Sequence, residues 1–186
     1  MTLSPLMAAA AAAGIVAAGA VLAFSHTPSL FVWASFIGWA SYDHSGANLQ
    51  GLLRSSAALV FGVVMAWCVA AVVAAGTLPL GIALATAVGA AVASFAIVLA
   101  SATPLLSVVP ATFYGFASTF AYVSLAPGAS SIESLTRPDA QNVLVTLPVS
   151  LLIGGVLGVA HGWLTKALRG ARVNVATRQT HARNDA

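Results

Sequence analysis

Long apolar runs alternate with short polar breaks along the chain. The runs cover 4–24, 28–43, 50–75, 79–101, 104–125 and 141–165, with breaks at Ser25–His26–Thr27, Asp43–Asn48, Gly76–Thr77, Ala102–Thr103 and Pro127–Gln141. A membrane helix needs ~20 mostly apolar residues, so the pattern predicts an all-α polytopic membrane protein with six transmembrane helices. The run at 28–43 is short, and reads as a tilted full span or as a half-span ending inside the bundle. Thr27–Pro28 and Thr103–Pro104 each offer a hydroxyl N-cap followed by proline, and predict helix starts at both places.

The runs also repeat. TPSLFVWASFIGWAS at 27–41 aligns with TPLLSVVPATFYGFAS at 103–118, and VLAFSHTP at 21–28 with VLASATP at 98–104. Further on, GVVMAW at 62–67 aligns with GVAHGW at 158–163; the offsets are 76, 77 and 96, the late jump being absorbed by the long loop at 126–140. Each copy holds three spans, with repeat one at about 4–76 and repeat two at about 79–166. An odd number of spans sends the second copy into the bilayer from the opposite face. The expectation is therefore a 3+3 inverted-topology repeat, an arrangement in which binding sites lie near the midplane between the copies.

Composition strengthens the membrane reading. The sequence is 60% hydrophobic and 6% charged, against about 25% charged in a soluble domain. The net charge of +3 does not mark a nucleic-acid surface, because Lys166, Arg169, Arg172, Arg178 and Arg183 all fall near the C-terminus. We read residues 1–168 as one bundle and 169–186 as a basic, disordered tail that anchors on the cytoplasmic side. Six spans then place both termini in the cytoplasm. Arg54 also lies inside, while Glu133, Arg137 and Asp139 lie in an outer loop. No Lys or Arg precedes the first run, so it reads as a retained span rather than a signal peptide. The lone Cys68 is expected as a small buried hydrophobe.

Two helices carry the candidate chemistry. At 100° per residue, Ala34, Ser35, Gly38, Ser41 and Tyr42 share one face of the second span, opposite Trp33, Phe36, Trp39 and Ala40. In the fifth span Ala111, Thr112, Gly115, Ser118, Thr119 and Tyr122 share a face, opposite Phe113, Phe116 and Phe120. Small residues at this spacing either seal helices together or face each other across a narrow route, where hydroxyls replace a solute's water. The candidate route comprises Ser35, Gly38, Trp39, Ser41, Tyr42 and Asn48 from the first copy. Thr112, Tyr114, Gly115, Phe116, Ser118, Thr119 and Asn142 come from the second. Asn48 and Asn142 also fit as N-caps of the third and sixth spans. His161 reads as an interfacial, hydrogen-bonded histidine, or as a proton relay. No pair of histidines has metal-site spacing.

The motifs PSLFVWASFIGWASY, GANLQGLL and VPATFYGFAS resemble the bacterial inner-membrane proteins grouped as domain of unknown function 1097, over about residues 20–168. The resemblance implies a small polytopic inner-membrane protein and carries over no substrate or catalytic residue. Asp43, Glu133, Asp139 and Asp185 are the only acids, and none lies in the middle of a span. Together with the absence of a nucleophile–base pair, a metal cluster or a phosphate loop, this predicts no enzyme and no cofactor. The expected function is a passive channel or facilitator for a small neutral or weakly polar solute, working as a homo-oligomer. The alternative is a non-transporting subunit whose small faces dock on a larger partner.

Overall fold

The computed structural model describes residues 3–184, with side chains for residues 3–169. It is helical throughout, with no strand among the described residues. Seven helices run α1 Pro5–Ser25, α2 Val32–His44, α3 Leu49–Ala74, α4 Ile82–Ala100, α5 Val109–Leu125, α6 Ile132–Thr136 and α7 Val143–Asn184. A 3-10 turn at Pro104–Leu106 precedes α5. The expectation for the basic tail at 169–186 lies outside the described side chains, Arg169 excepted.

Among the described residues four helices are long and apolar enough to cross a bilayer: α1, α3, α4 and the Val143–Arg169 part of α7. The α2 helix, with 13 residues, spans only about 20 Å at 1.5 Å per residue. With 17 residues, α5 spans about 26 Å.

Thr27–Pro28 closes a helix rather than opening one, whereas Thr103–Pro104 closes α4 and also opens the 3-10 turn, with Thr103 as its N-cap and Pro104 as its first residue. Thr27 Oγ1 donates back to the Phe24 carbonyl at 3.3 Å and Thr103 Oγ1 to the Ala100 carbonyl at 2.8 Å. Ser25 and Ser101 do the same, each at 2.6 Å, to Leu22 and Val98. The proline then follows a finished helix, where its missing N–H cannot interrupt the ladder. As a result α2 starts at Val32 and α5 at Val109, four to five residues later than the sequence pattern placed them.

Chain neighbours are not the main packing partners. α7 packs on α1 and α2, whereas α3 packs on α4 and α5, and α3 and α7 touch each other. Both short helices run parallel to their long partners. Phe31 near the start of α2 donates its N–H to Ser150 Oγ of α7 at 3.0 Å, and Tyr42 near its end meets Gly158. Likewise Ser56 and Val60 of α3 lie beside Leu105, while Ala70 and Val73 lie beside Val123.

The core is a small cluster built on Leu59, Val63, Leu135, Leu147 and Leu151, all at most 1% exposed. Leu135 comes from α6, a short helix that folds the 126–140 loop back over the bundle end. Its carbonyl accepts from Trp67 Nε1 at 2.8 Å and from Asn142 Nδ2 at 3.1 Å. Arg137 and Asp139 pair at the surface at 2.8 Å. Cys68 departs from expectation: it is exposed. The buried stripe of α3 runs through Gly51, Ser55, Ala58, Leu59, Gly62, Val63, Ala66 and Val69, leaving Cys68 on the outward face.

Candidate functional site

Five residues of α2 are buried: Ala34, Ser35, Gly38, Ser41 and Tyr42. They are the set that the helical period places on one face. On α5 the buried set is Ala111, Thr112, Gly115, Phe116, Ser118 and Thr119. Tyr122 of the expected face is half-buried and its ring lies 5.2 Å from Phe31. Phe116, expected on the opposite face, is 9% exposed and 4.8 Å from Phe120, because α5 packs on two sides, against α3 and against α4.

The two small faces do not look at each other. Gly38 of α2 lies against the backbone of Leu151 on α7, and Gly154 of α7 lies against Ser35 and Trp39 of α2. Gly115 of α5 lies against the backbone of Leu59 on α3, and Gly62 of α3 against Thr112 and Phe116 of α5. A Cβ at any of the four would overlap the facing carbonyl oxygen, which is the close backbone approach that small residues permit in membrane helices. Each helix pair thus has two glycines, one from each side, and forms a sealed seam.

The hydroxyls of the small faces are largely spent within these seams. Ser35 donates to the Val32 carbonyl at 2.7 Å, Ser118 to Tyr114 at 2.7 Å and Thr119 to Gly115 at 3.1 Å. Ser41 Oγ lies 2.8 Å from Ser55 Oγ and ties α2 to α3. Thr112 is 1% exposed. Tyr114 is half-buried, its ring 6.4 Å from that of His44. The two asparagines cap helices. Asn48 Oδ1 accepts from Gly51 N at 2.8 Å, and Asn142 Oδ1 from Leu144 N at 2.8 Å. The Asn142 amide also donates to the Leu135 and Arg137 carbonyls, pinning α6.

At the end of the α2–α7 seam the packing is aromatic and polar. The Trp39 ring lies 5.1 Å from the His161 ring, tilted by 52°, Asp43 sits beside both, and His161 Nε2 lies 3.2 Å from the Ala9 carbonyl of α1. Gly158 leaves the room that the Tyr42 and Trp39 rings occupy.

The matching end of the α3–α5 seam is hollow. A cavity of about 580 Å³ lies between Ala66, Val69, Ala70 and Val73 of α3, the start of α4 and the end of α5. Thr86 contributes a hydroxyl to its wall, Thr119 lies fully buried behind that wall, and the exposed Ser124 and Ser130 stand at its mouth. None of its lining residues is ionisable. Of the sequence-nominated residues only Thr119 belongs to this cavity; the α3 wall was missed. The signal for it is the run of alanines and valines in AWCVAAVVAAG, one face of which is too small to fill the gap to α5.

No curated protein and no solved structure matches the chain. A family model matches residues 10–166, nearly the whole of the described bundle. The chain belongs to the family described as protein of unknown function (DUF1097).

Proposed function

We propose that the protein is a passive facilitator for a small uncharged solute across the bacterial inner membrane, built from two inverted copies of three spans with both termini in the cytoplasm. The observation that carries this reading is the pairing of the glycine seams. Ser35, Gly38 and Trp39 of one seam correspond to Thr112, Gly115 and Phe116 of the other, each at an offset of 77. Leu59 and Gly62 correspond to Leu151 and Gly154, each at an offset of 92. Two offsets account for all four contacts. A duplicated chain whose copies exchange their third helices has this pattern, and inverted copies meeting at the bilayer midplane are a recurrent transporter architecture.

The contact-derived offset of 92 differs by four from the 96 read off GVVMAW and GVAHGW. That sequence match is one helical turn out of register.

Three further observations support movement without ion coupling. Among the described residues the buried seam faces and the cavity lining carry no acid, the cavity is uncharged, and Asp43 lies at the end of α2. Burying a lone charge in the bilayer costs several kcal/mol, so an uncharged wall selects uncharged cargo. The seams are shut by backbone contact, so no pore stands open along them. The solute instead leaves water at the cavity between α3, α4 and α5. The small faces are used up inside the chain, which removes them as docking seams for a partner.

Flux into proteoliposomes tests the reading. Urea, short amides, ammonia, glycerol and small anions are assayed against protein-free vesicles, and accelerated entry of at least one neutral solute is expected. No acceleration for any of them would leave a non-transporting membrane subunit as the better account.

A further inference from the structure

We infer that the cavity between α3, α4 and α5 is a binding site for an uncharged molecule with N–H or O–H donors on a short apolar body. The assignment rests on the facilitator reading and specifies its cargo. It begins from the polarity of the wall. No Asp, Glu, Lys, Arg or His lines the cavity, so an ion entering it would lose water and gain no counter-charge. The Thr86 hydroxyl already donates to the Ile82 carbonyl at 2.8 Å, whereas Thr119 is fully buried and its hydroxyl is spent on Gly115 inside the wall. A hydroxyl whose proton is engaged offers a ligand only lone pairs. Helices α3 and α5 both finish at this end, at Ala74 and Leu125; the Ala71, Val73 and Tyr122 carbonyls are taken by Ala75, Gly76 and Ala126, which leaves the other last-turn carbonyls as acceptors. The Thr86 oxygen and the free carbonyls are acceptors and call for a donor, while the Ser124 and Ser130 hydroxyls at the mouth can give or accept. Helix α4 begins at the same rim, so one ligand acceptor can also be met by its first backbone N–H groups. The rest of the wall, Ala66, Val69, Ala70 and Val73 among it, is apolar and suits carbon. A volume of about 580 Å³ falls within the ~300–1,000 Å³ of ligand pockets, larger than a urea-sized solute requires.

The corresponding position at the other end of the molecule argues that the hollow is specified by sequence. With the offsets of 77 and 92, Thr119 corresponds to Tyr42, Phe120 to Asp43, Val69 to His161 and Ala66 to Gly158. There the Tyr42 and Trp39 rings fill the space over Gly158 and His161 locks onto Ala9. Where that end is plugged by rings, the cavity end has a threonine and a valine. The difference of side chains at equivalent places makes one end open and the other closed.

The test uses full-length protein in lipid vesicles with Cys68→Ala as background and Ala70→Cys as reporter. A membrane-impermeant maleimide is expected to label the Ala70→Cys thiol. Pentanamide at ten times its Kd is expected to slow labelling about tenfold, since occupancy leaves a free fraction of 1/(1 + [L]/Kd). N,N-dimethylpentanamide, pentylammonium and pentanoate, which lack donors or carry charge, are expected to leave the rate unchanged. Adding Thr119→Tyr and Val69→His, the residues of the plugged end, is expected to abolish labelling and protection together. Should Ala70→Cys impair folding, Val73→Cys serves as reporter. Equal protection by the dimethyl amide or by either ion would overturn the donor assignment. Absence of labelling at both reporters in folded protein would overturn the cavity as a water-reachable site. Protection without flux would sink the facilitator reading and keep the site, whereas flux without protection would do the reverse.

Discussion

Replacing Gly62 by alanine places a single methyl group where the Thr112 carbonyl oxygen and the Phe116 N–H of α5 now lie. Neither obstacle is a flexible side chain, so relief requires the two helices to move apart. Overpacking of this kind costs about 1–3 kcal/mol, and the separation also loosens Leu59 and Gly115 on the same seam. The helix-propensity gain of alanine over glycine, ~1 kcal/mol in water, offsets part of this. A net loss of about 1 kcal/mol follows, roughly a five-fold fall in the folded-to-unfolded ratio. Gly154→Ala on the α2–α7 seam is expected to cost the same, because Ser35 and Trp39 present the same backbone obstacles. Gly14→Ala and Gly19→Ala on α1 meet nothing within 4 Å and are the controls, neutral or slightly stabilising. The assay is reversible unfolding by SDS titration from mixed micelles, followed by far-UV circular dichroism. Combinations sharpen it. Gly62→Ala with Gly115→Ala shares one seam and should lose less than the sum of the singles, since helices already parted accommodate the second methyl. Gly62→Ala with Gly154→Ala should add within about 0.5 kcal/mol. Seam variants as stable as the controls would refute the close backbone approach on which the fold description depends.

Other consequences can be checked alongside. Ser41→Ala removes the 2.8 Å bond to Ser55, and a loss of about 0.6 kcal/mol is expected by the same titration. Adding Ser55→Ala should cost little more, since the partner is already unpaired. Trp67→Phe deletes the indole donor to the Leu135 carbonyl and should raise hydrogen exchange in the 126–140 loop while leaving α1 and α2 unchanged. Asn142→Ala removes three hydrogen bonds, one of which caps α7, and should cost about 1–3 kcal/mol; Asn48→Ala, exposed and local, should cost about 1 kcal/mol or less.

Much of the helical layout was legible because lipid-facing helices keep only a narrow buried stripe. The 100° period alone picked out all five buried residues of α2. It failed on α5 at Phe116, since a helix gripped from two sides buries more than its small face. The asparagine caps were readable from chemistry. Thr27–Pro28 misled, because a hydroxyl can serve the helix behind it as readily as the one ahead, whereas Thr103–Pro104 does open a turn, a 3-10 one rather than α5 itself. Helix α6 was invisible: five residues in a polar loop carry too little periodicity, and Leu135 is buried by long-range contacts to Trp67 and Asn142. The cavity was hidden for a related reason. Small apolar residues read alike whether another helix fills the space beside them or nothing does.

The central claim is that the two sets of three helices cross the membrane in opposite senses. Thiol labelling of Thr27→Cys and Thr103→Cys, each in the Cys68→Ala background, addresses it with an impermeant reagent applied to intact and to permeabilised cells. The account predicts that the thiol of the Thr27→Cys variant labels from outside and that of the Thr103→Cys variant only after permeabilisation. Labelling of both from the same side would contradict it.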